Sequence, residues 1–392
     1  MLIDDTNNSS SNPSPLLQMK GLRIEGLSDQ GWQEIVCGID LKLNRGEILG
    51  LIGESGAGKS TIGLAAMGFA KDGCRIVDGE IDFDGIELRK APESQKRKLR
   101  GTRISYVDQS AAAAFNPAHR LINQFTEGPI EHDLLSEAKA KEKGRNLYRS
   151  LDLPDPDHIG DRWPHQVSGG QIQRMMVAMS MSCEPDLIIF DEPTTALDVT
   201  TQIEVLKTIK EIVTDRNVAA IYITHDLAVV AQLANHLMVL RYGNLIEVNS
   251  TGQILKSPKQ EYTQNLLDAR IRDEKTTAQI PNPKTLLNVE SVTAGYGKGP
   301  DILQDVSISV EKGRTVAVVG ESGSGKSTLA RVLTGLLPPR FGNILFDGEA
   351  LPDKLKLRTK QQLQKIQMIS QLPDTALNPR QRVRDIILFV MK

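Results

Sequence analysis

The stretch ILGLIGESGAGKSTIGLAAMGF, residues 48–69, decides the fold. A short apolar run leads into a glycine-rich loop, and the loop leads into an apolar, helix-like segment. The loop itself, GESGAGKST (53–61), fits G-x-x-x-x-G-K-[ST]. Its glycines let the backbone curl so that N–H groups face an anion, at the start of a helix whose dipole favours negative charge. Gly53, Glu54, Ser55, Gly56, Ala57, Gly58, Lys59, Ser60 and Thr61 are therefore expected to cradle the phosphates of a nucleotide. Lys59 would reach the β and γ phosphates. Ser60 would offer its hydroxyl to Mg2+, a hard cation that prefers oxygen ligands and keeps several waters.

The same loop recurs as GESGSGKST (320–328), a shift of 267 residues from Gly53 to Gly320. The match extends upstream, with RGEILGLIG (45–53) over KGRTVAVVG (312–320) and LRIEGLS (22–28) resembling LNVESVT (287–293). This is a domain duplication, and Gly320, Gly323, Gly325, Lys326, Ser327 and Thr328 form its second phosphate loop. Between the copies, IRDEKTTAQIPNPK (271–284) is polar, holds two prolines and has no periodicity. The expected organisation is a disordered arm at 1–16, one complete domain at 17–268, a linker at 269–284 and part of a second domain at 285–392.

Composition narrows the function. The chain has 392 residues, 40% hydrophobic and 24% charged, with a formal net charge of -2. That is an ordinary globular balance with no field favouring nucleic acid, so no nucleic-acid partner is expected. Cys37, Cys74 and Cys183 are odd in number and widely spaced, which suggests neither disulfides nor a zinc or iron–sulfur site. The apolar runs are far shorter than the roughly 20 residues of a membrane helix.

Short apolar runs at 48–52, 187–190 and 220–224 read as strands of a parallel sheet buried on both faces. The segment from about 97 to 182, including EHDLLSEAKAKEKGRNLYRSL, reads as a mostly helical insertion. An α/β core with a helical subdomain follows. LIIFDEPTTALD (187–198) sets Asp191 and Glu192 where a strand emerges at its C-terminal edge, beside the phosphate loop. Asp191 would hold Mg2+ through water, and Glu192 would orient and polarise an attacking water.

With VSGGQIQR (167–174) added, the chain resembles the ATP-binding-cassette (ABC) ATPases, P-loop NTPases whose nucleotide sites form between two domains. The resemblance implies ATP hydrolysis coupled to transport. It implies that Ser168, Gly169, Gly170 and Gln171 act on the opposite nucleotide and that Leu197 and Asp198 form a dimer-spanning loop. Gln109 would link γ-phosphate and Mg2+ to the transporter contact, and His225 in ITHD would be the switch histidine. Tyr296 sits at the family's usual adenine-stacking position in the second copy, and Trp32 is its nearest counterpart in the first. Ile172 stands where the family more often has a polar or basic residue, and Ser110 follows Gln109 where an acidic residue is usual.

AAAAFNPAHRLINQ (111–124), TALNPRQRV (375–383) and SPKQEYTQNLLDA (257–269) resemble the oligopeptide, dipeptide and nickel importer branch, which includes glutathione-import-like chains with two fused cassettes. The implied partners are membrane permease subunits, an external solute-binding protein and another ABC ATPase domain. The implied location is peripheral, on the cytoplasmic face of the inner membrane. A soluble, non-transport cassette ATPase would call for a longer, basic, helical linker.

In the second copy, the signature serine, strand aspartate and histidine would fall near positions 435, 458 and 492, beyond Lys392. Only the loop, Tyr296 and Gln371 remain, so that copy is expected to touch nucleotide without hydrolysing it and to expose apolar strand surface. A nucleotide-binding fragment without productive turnover is the alternative reading.

Overall fold

The computed structural model describes residues 14–194, 199–271, 284–320, 323–370, 377–378 and 380–390. Residues 1–13 of the arm, most of the expected linker, Leu197, Asp198 and Gln371 lie outside the described residues. The chain divides into two compact units, Met1–Thr276 and Thr277–Lys392.

The strands of the first unit are β1 (Leu17–Ser28), β2 (Gly31–Leu43), β3 (Ile48–Ile52), β4 (Cys74–Phe83), β5 (Ile86–Glu87), β6 (Ile104–Val107), β7 (Leu187–Asp191), β8 (Ala219–Ile223), β9 (His236–Arg241) and β10 (Asn244–Ser250). They form two sheets, a four-stranded one ordered β2-β1-β4-β5 and a six-stranded one ordered β10-β9-β3-β8-β7-β6. The first is antiparallel. In the second, β3, β6, β7, β8 and β9 run parallel, and β10 returns antiparallel to β9.

Every residue of β3, β7 and β8 is buried, as continuous apolar runs in a parallel sheet require. Their alternating side chains divide between two cores. Ile188, Phe190, Ala220 and Tyr222 face the helices, while Leu187, Ile189, Ala219 and Ile221 face the antiparallel sheet.

The helices are α1 (Lys59–Ala65), α2 (Glu93–Leu99), α3 (Ala111–Ala114), α4 (Leu121–Glu131), α5 (Glu137–Ser150), α6 (Gly169–Ser180), α7 (Val199–Arg216), α8 (Leu227–Val230), α9 (Thr251–Lys256) and α10 (Glu261–Ile271). Helices α3 to α6 build the helical subdomain, with Phe125 of α4 meeting the edge of Tyr148 of α5 at 5.7 Å between ring centroids. The segment from 97 to 182 is not all insertion, because ISYV forms β6 and pairs with β7 at the edge of the core sheet. Helix α10 also runs past the expected domain boundary at 268.

Gly53, just after β3, has φ +150°, and a Cβ there would lie 2.1 Å from the carbonyl oxygen of Leu240 on β9. The loop therefore leaves the sheet only because that side chain is absent.

In the second unit, β11 (Thr285–Ala294), β12 (Leu303–Glu311), β13 (Phe341–Phe346) and β14 (Glu349–Ala350) form a sheet ordered β12-β11-β13-β14, matching β2-β1-β4-β5. Helix α11 (Lys326–Leu333) follows its phosphate loop. The stretch 315–319, the counterpart of β3, pairs with no strand among the described residues. Val319 there is 88% exposed, whereas β3 is wholly buried between β8 and β9. No described helix is long and apolar enough to cross a membrane.

Gly53→Ala is expected to destabilise the first unit by about 2–5 kcal/mol, from backbone strain plus the clash with Leu240. Gly252→Ala, on α9 with open space around its Cβ, should change stability by less than about 1 kcal/mol. Urea midpoints of the two variants compare them, and equal midpoints would refute the steric account of the loop.

Candidate nucleotide site

The first phosphate loop sits where β3 gives way to α1. Gly58, the residue before Lys59, has φ +90°, and a Cβ there would approach the carbonyl oxygen of Ile35 to 2.8 Å. Two glycines thus let the loop close against β9 at one end and β2 at the other. The Lys59 side chain, 6% exposed, folds back over the loop. Its ammonium donates to the carbonyls of Gly53 at 2.8 Å and Glu54 at 2.9 Å. Burial lowers the lysine pKa from its ordinary value, and the facing carboxylates Glu192 and Asp191 work against that shift.

Strand β7 delivers the acids. Asp191 Oδ1 accepts from Ser60 Oγ at 2.9 Å, and its Oδ2 accepts from the Tyr106 hydroxyl at 2.6 Å. Burial, reinforced by the bond to Asp191, pushes the Tyr106 phenol far above its ordinary pKa, so it remains a neutral donor. The chain turns sharply after Asp191. Glu192 takes a left-handed φ of +47°, and its N–H donates to the Ile223 carbonyl at 2.9 Å, at the end of β8. The turn presents its carboxylate between two side chains expected to act with it. Gln109 Nε2 donates to Glu192 Oε2 at 3.1 Å, and His225 Nδ1 lies 3.0 Å from Glu192 Oε1.

These groups share one cavity of about 750 Å3. Ser55, Gly56, Gly58, Lys59, Ser60, Thr61, Gln109, Asp191, Glu192 and His225 line it together with Ile35. Residues from five separate stretches of sequence therefore converge at the C-terminal edge of the parallel strands, where such sheets bind ligands. Among the described residues no group of three or more His, Cys, Asp or Glu could hold a metal unaided. The hard oxygens of Ser60 and Asp191 stand side by side, which suits Mg2+ completed by phosphate and water oxygens.

Other expected site residues lie elsewhere. Ser168 caps α6, accepting from the Gln171 N–H at 3.3 Å, and the Gln171 side chain accepts from the Ser168 N–H at 3.0 Å. With Gly169 and Gly170 these residues form a helix N-terminus outside the cavity lining. Ile172, where the family more often has a polar residue, is buried in the helical core. Trp32 does not line the cavity; the Arg75 guanidinium covers its ring at 4.1 Å, held in turn by Glu25. Tyr106 and Ile35 were not singled out from the sequence. Tyr106 carried one signal, a phenol on the short stretch ISYV leading to Gln109.

The second loop repeats the first locally. Gly320 has φ +153°, Gly323 +88° and Gly325 +97°, and Lys326 Nζ donates to the Gly320 carbonyl at 2.7 Å. Ser327 and Thr328 lie in the first turn of α11, Thr328 buried. The Tyr296 hydroxyl accepts from Arg331 at 2.7 Å, and hydrogen bonds from Thr328 and Arg331 hold its pKa below the usual phenol value.

The ABC transporter family profile matches residues 36–195 and 303–387. The glutathione import ATP-binding protein GsiA of Salmonella typhimurium (strain LT2) is 33% identical over 94% of this chain and 66% of its own length. The uncharacterized ABC transporter ATP-binding protein YejF of Escherichia coli (strain K12) is 32% identical over 95% of this chain and 72% of its own. The chain thus spans just under two thirds of the GsiA relatives it matches. Among solved structures, the ATP-binding cassette MJ0796 in a dimeric post-hydrolysis state with ADP and Pi aligns with TM-score 0.55 at 21% identity, over 60% of this chain and 98% of that one. The cbiO1 subunit from Clostridium perfringens aligns with TM-score 0.54 at 23% identity, over 66% and 97%. The likeness to the solved structures shows the fold, the family profile and the curated relatives together cover most of the chain, and the chain belongs to the ABC transporter family as one of its ATP-binding proteins.

Proposed function

We propose that the first unit binds ATP with Mg2+ and hydrolyses it, and that this turnover energises an importer of peptides or similar small solutes. The observation that carries the reading is Glu192, whose carboxylate is presented into the loop cavity between Gln109 and His225. Lys59 keeps one of its three donors for a phosphate oxygen after bonding two loop carbonyls. Ser60 and Asp191, with Gln109, would hold Mg2+ on the metal side of the nucleotide. Bound Mg2+ would neutralise charge developing on the β and γ oxygens. Glu192 orients a water and takes its proton, and His225 steadies the glutamate on its far side.

The signature residues Ser168 to Gln171 do not line the cavity of their own unit. If they act on ATP, they act on a nucleotide held by another cassette domain, in a homodimer or a heterodimer. Trp32, with Arg75 on one face, is proposed to offer its other face to adenine, and Tyr296 the same in the second unit. The second loop has the shape to bind phosphate, but the described residues of that unit include no counterpart of β7 to deliver two carboxylates.

Membrane permease subunits and an external solute-binding protein complete the proposed importer, at the cytoplasmic face of the inner membrane. The support is nomenclature of relatives: GsiA is named for glutathione import, and cbiO1 is described as part of the ABC transporter complex cbiONQ.

Glu192→Gln should lower ATP turnover by about 100-fold or more while leaving ATP affinity unchanged, because only the proton-accepting step is lost. Equal hydrolysis by variant and parent would falsify the assignment of the base. Specific ATPase activity of the isolated chain should also rise with protein concentration, or on adding a partner cassette. Activity that stays constant on dilution would remove the need for a second domain.

A further inference from the structure

We propose that Tyr106 is a positioning residue for Asp191, fixing through its hydroxyl the orientation in which that carboxylate meets the metal. The inference rests on the nucleotide-site reading of the first unit. Tyr106 lies on β6, three residues before Gln109. Its O–H donates to Asp191 Oδ2 at 2.6 Å while Ser60 donates to Oδ1 at 2.9 Å. The carboxylate is therefore held on both oxygens, from the loop helix on one side and from the strand feeding the glutamine loop on the other. A short hydroxyl-to-carboxylate bond belongs to the stronger, charge-assisted class. With both oxygens engaged, rotation about the Cβ–Cγ bond would break two hydrogen bonds, so Oδ1 stays turned toward Ser60.

The two copies in this chain make the contrast themselves. ISYVDQ (104–109) has the tyrosine, and IQMISQ (366–371) has Met368 at the same distance from its glutamine. The hydroxyl is thus present in the first copy and absent at the matching position of the second. Packing alone does not account for it, since the aromatic ring is only partly buried against the sheet core and a phenylalanine would make the same contacts. What the oxygen adds is the bond to Asp191. Partners of metal-binding side chains, when removed, typically weaken metal affinity by about 10–100-fold.

The test uses the full chain carrying Lys326→Ala, so that the first loop alone reports. Mn2+ binding in the presence of saturating AMP-PNP is followed by electron paramagnetic resonance in the parent, in Tyr106→Phe and in Tyr106→Met, and AMP-PNP binding in EDTA is measured alongside. Both variants are expected to bind Mn2+ about tenfold more weakly, with metal-free nucleotide affinity unchanged. Unchanged Mn2+ affinity in Tyr106→Phe overturns the proposal. So does a parallel loss of metal-free nucleotide binding, which would make the tyrosine a general support of the fold. Failure of the parent itself to bind AMP-PNP would overturn the nucleotide-site reading beneath it.

Discussion

Asp191 has to keep a carboxylate at the end of a strand that is otherwise entirely apolar and buried, and the first unit is arranged around that requirement. A charge there without partners would cost several kcal/mol, roughly the scale of the whole domain's stability. It is instead met by Ser60 from α1 and Tyr106 from β6, with the Lys59 ammonium nearby. Satisfying one side chain therefore fixes three elements relative to one another. The loop helix, the core strand and the strand leading to Gln109 are tied together beside the glycine-rich loop.

The opposite end of the same sheet is held by a second set of charges. Asp186, just before β7, accepts from Arg45 and Arg103, and both arginines also bond Asp84 in the turn between β4 and β5. These four side chains are partly exposed, so each pair contributes modestly, but they share partners and join the antiparallel sheet to the parallel one. Between the two charged ends the side chains of β7 are all apolar, divided by strand alternation into two cores. Register slippage by one residue would exchange the two faces and move Asp191 away from Ser60. Core packing and site geometry are thus the same constraint seen from two ends of β7.

Local rules explain what could be read from the sequence. The phosphate loop was legible because its glycines, lysine and serine are adjacent in the chain, and β3, β7 and β8 because burial on both faces leaves uninterrupted apolar runs. Strand β6 was not legible, since four residues inside a long helical segment give no periodicity to separate strand from helix. The antiparallel sheet was equally hidden; LRIEGLS served only as a landmark of duplication, although its long strands bury Leu22 and Ile24 against the parallel sheet. Glu192 and His225 were identified through their motifs, but their meeting at 3.0 Å depends on a left-handed turn that no sequence pattern announces. Tyr106 was missed because a tyrosine between core residues looks like packing until a carboxylate is seen to face its hydroxyl.

The duplicated loop shows how much of a site is local and how much is not. Gly53 and Gly320 share nearly the same φ, Gly58 and Gly325 likewise, and each lysine bonds the carbonyl of the first glycine of its own loop. The described glycines and lysine of both loops share that geometry, in the second without a paired strand leading into it among the described residues. The strand leading into the loop behaves differently: β3 is sealed between β8 and β9, while 315–319 pairs with nothing among the described residues. A phosphate cradle is therefore a property of the loop, whereas hydrolysis requires side chains that only long-range strand pairing can bring to it. In the described residues, the complete set of interactions gathers around the first loop.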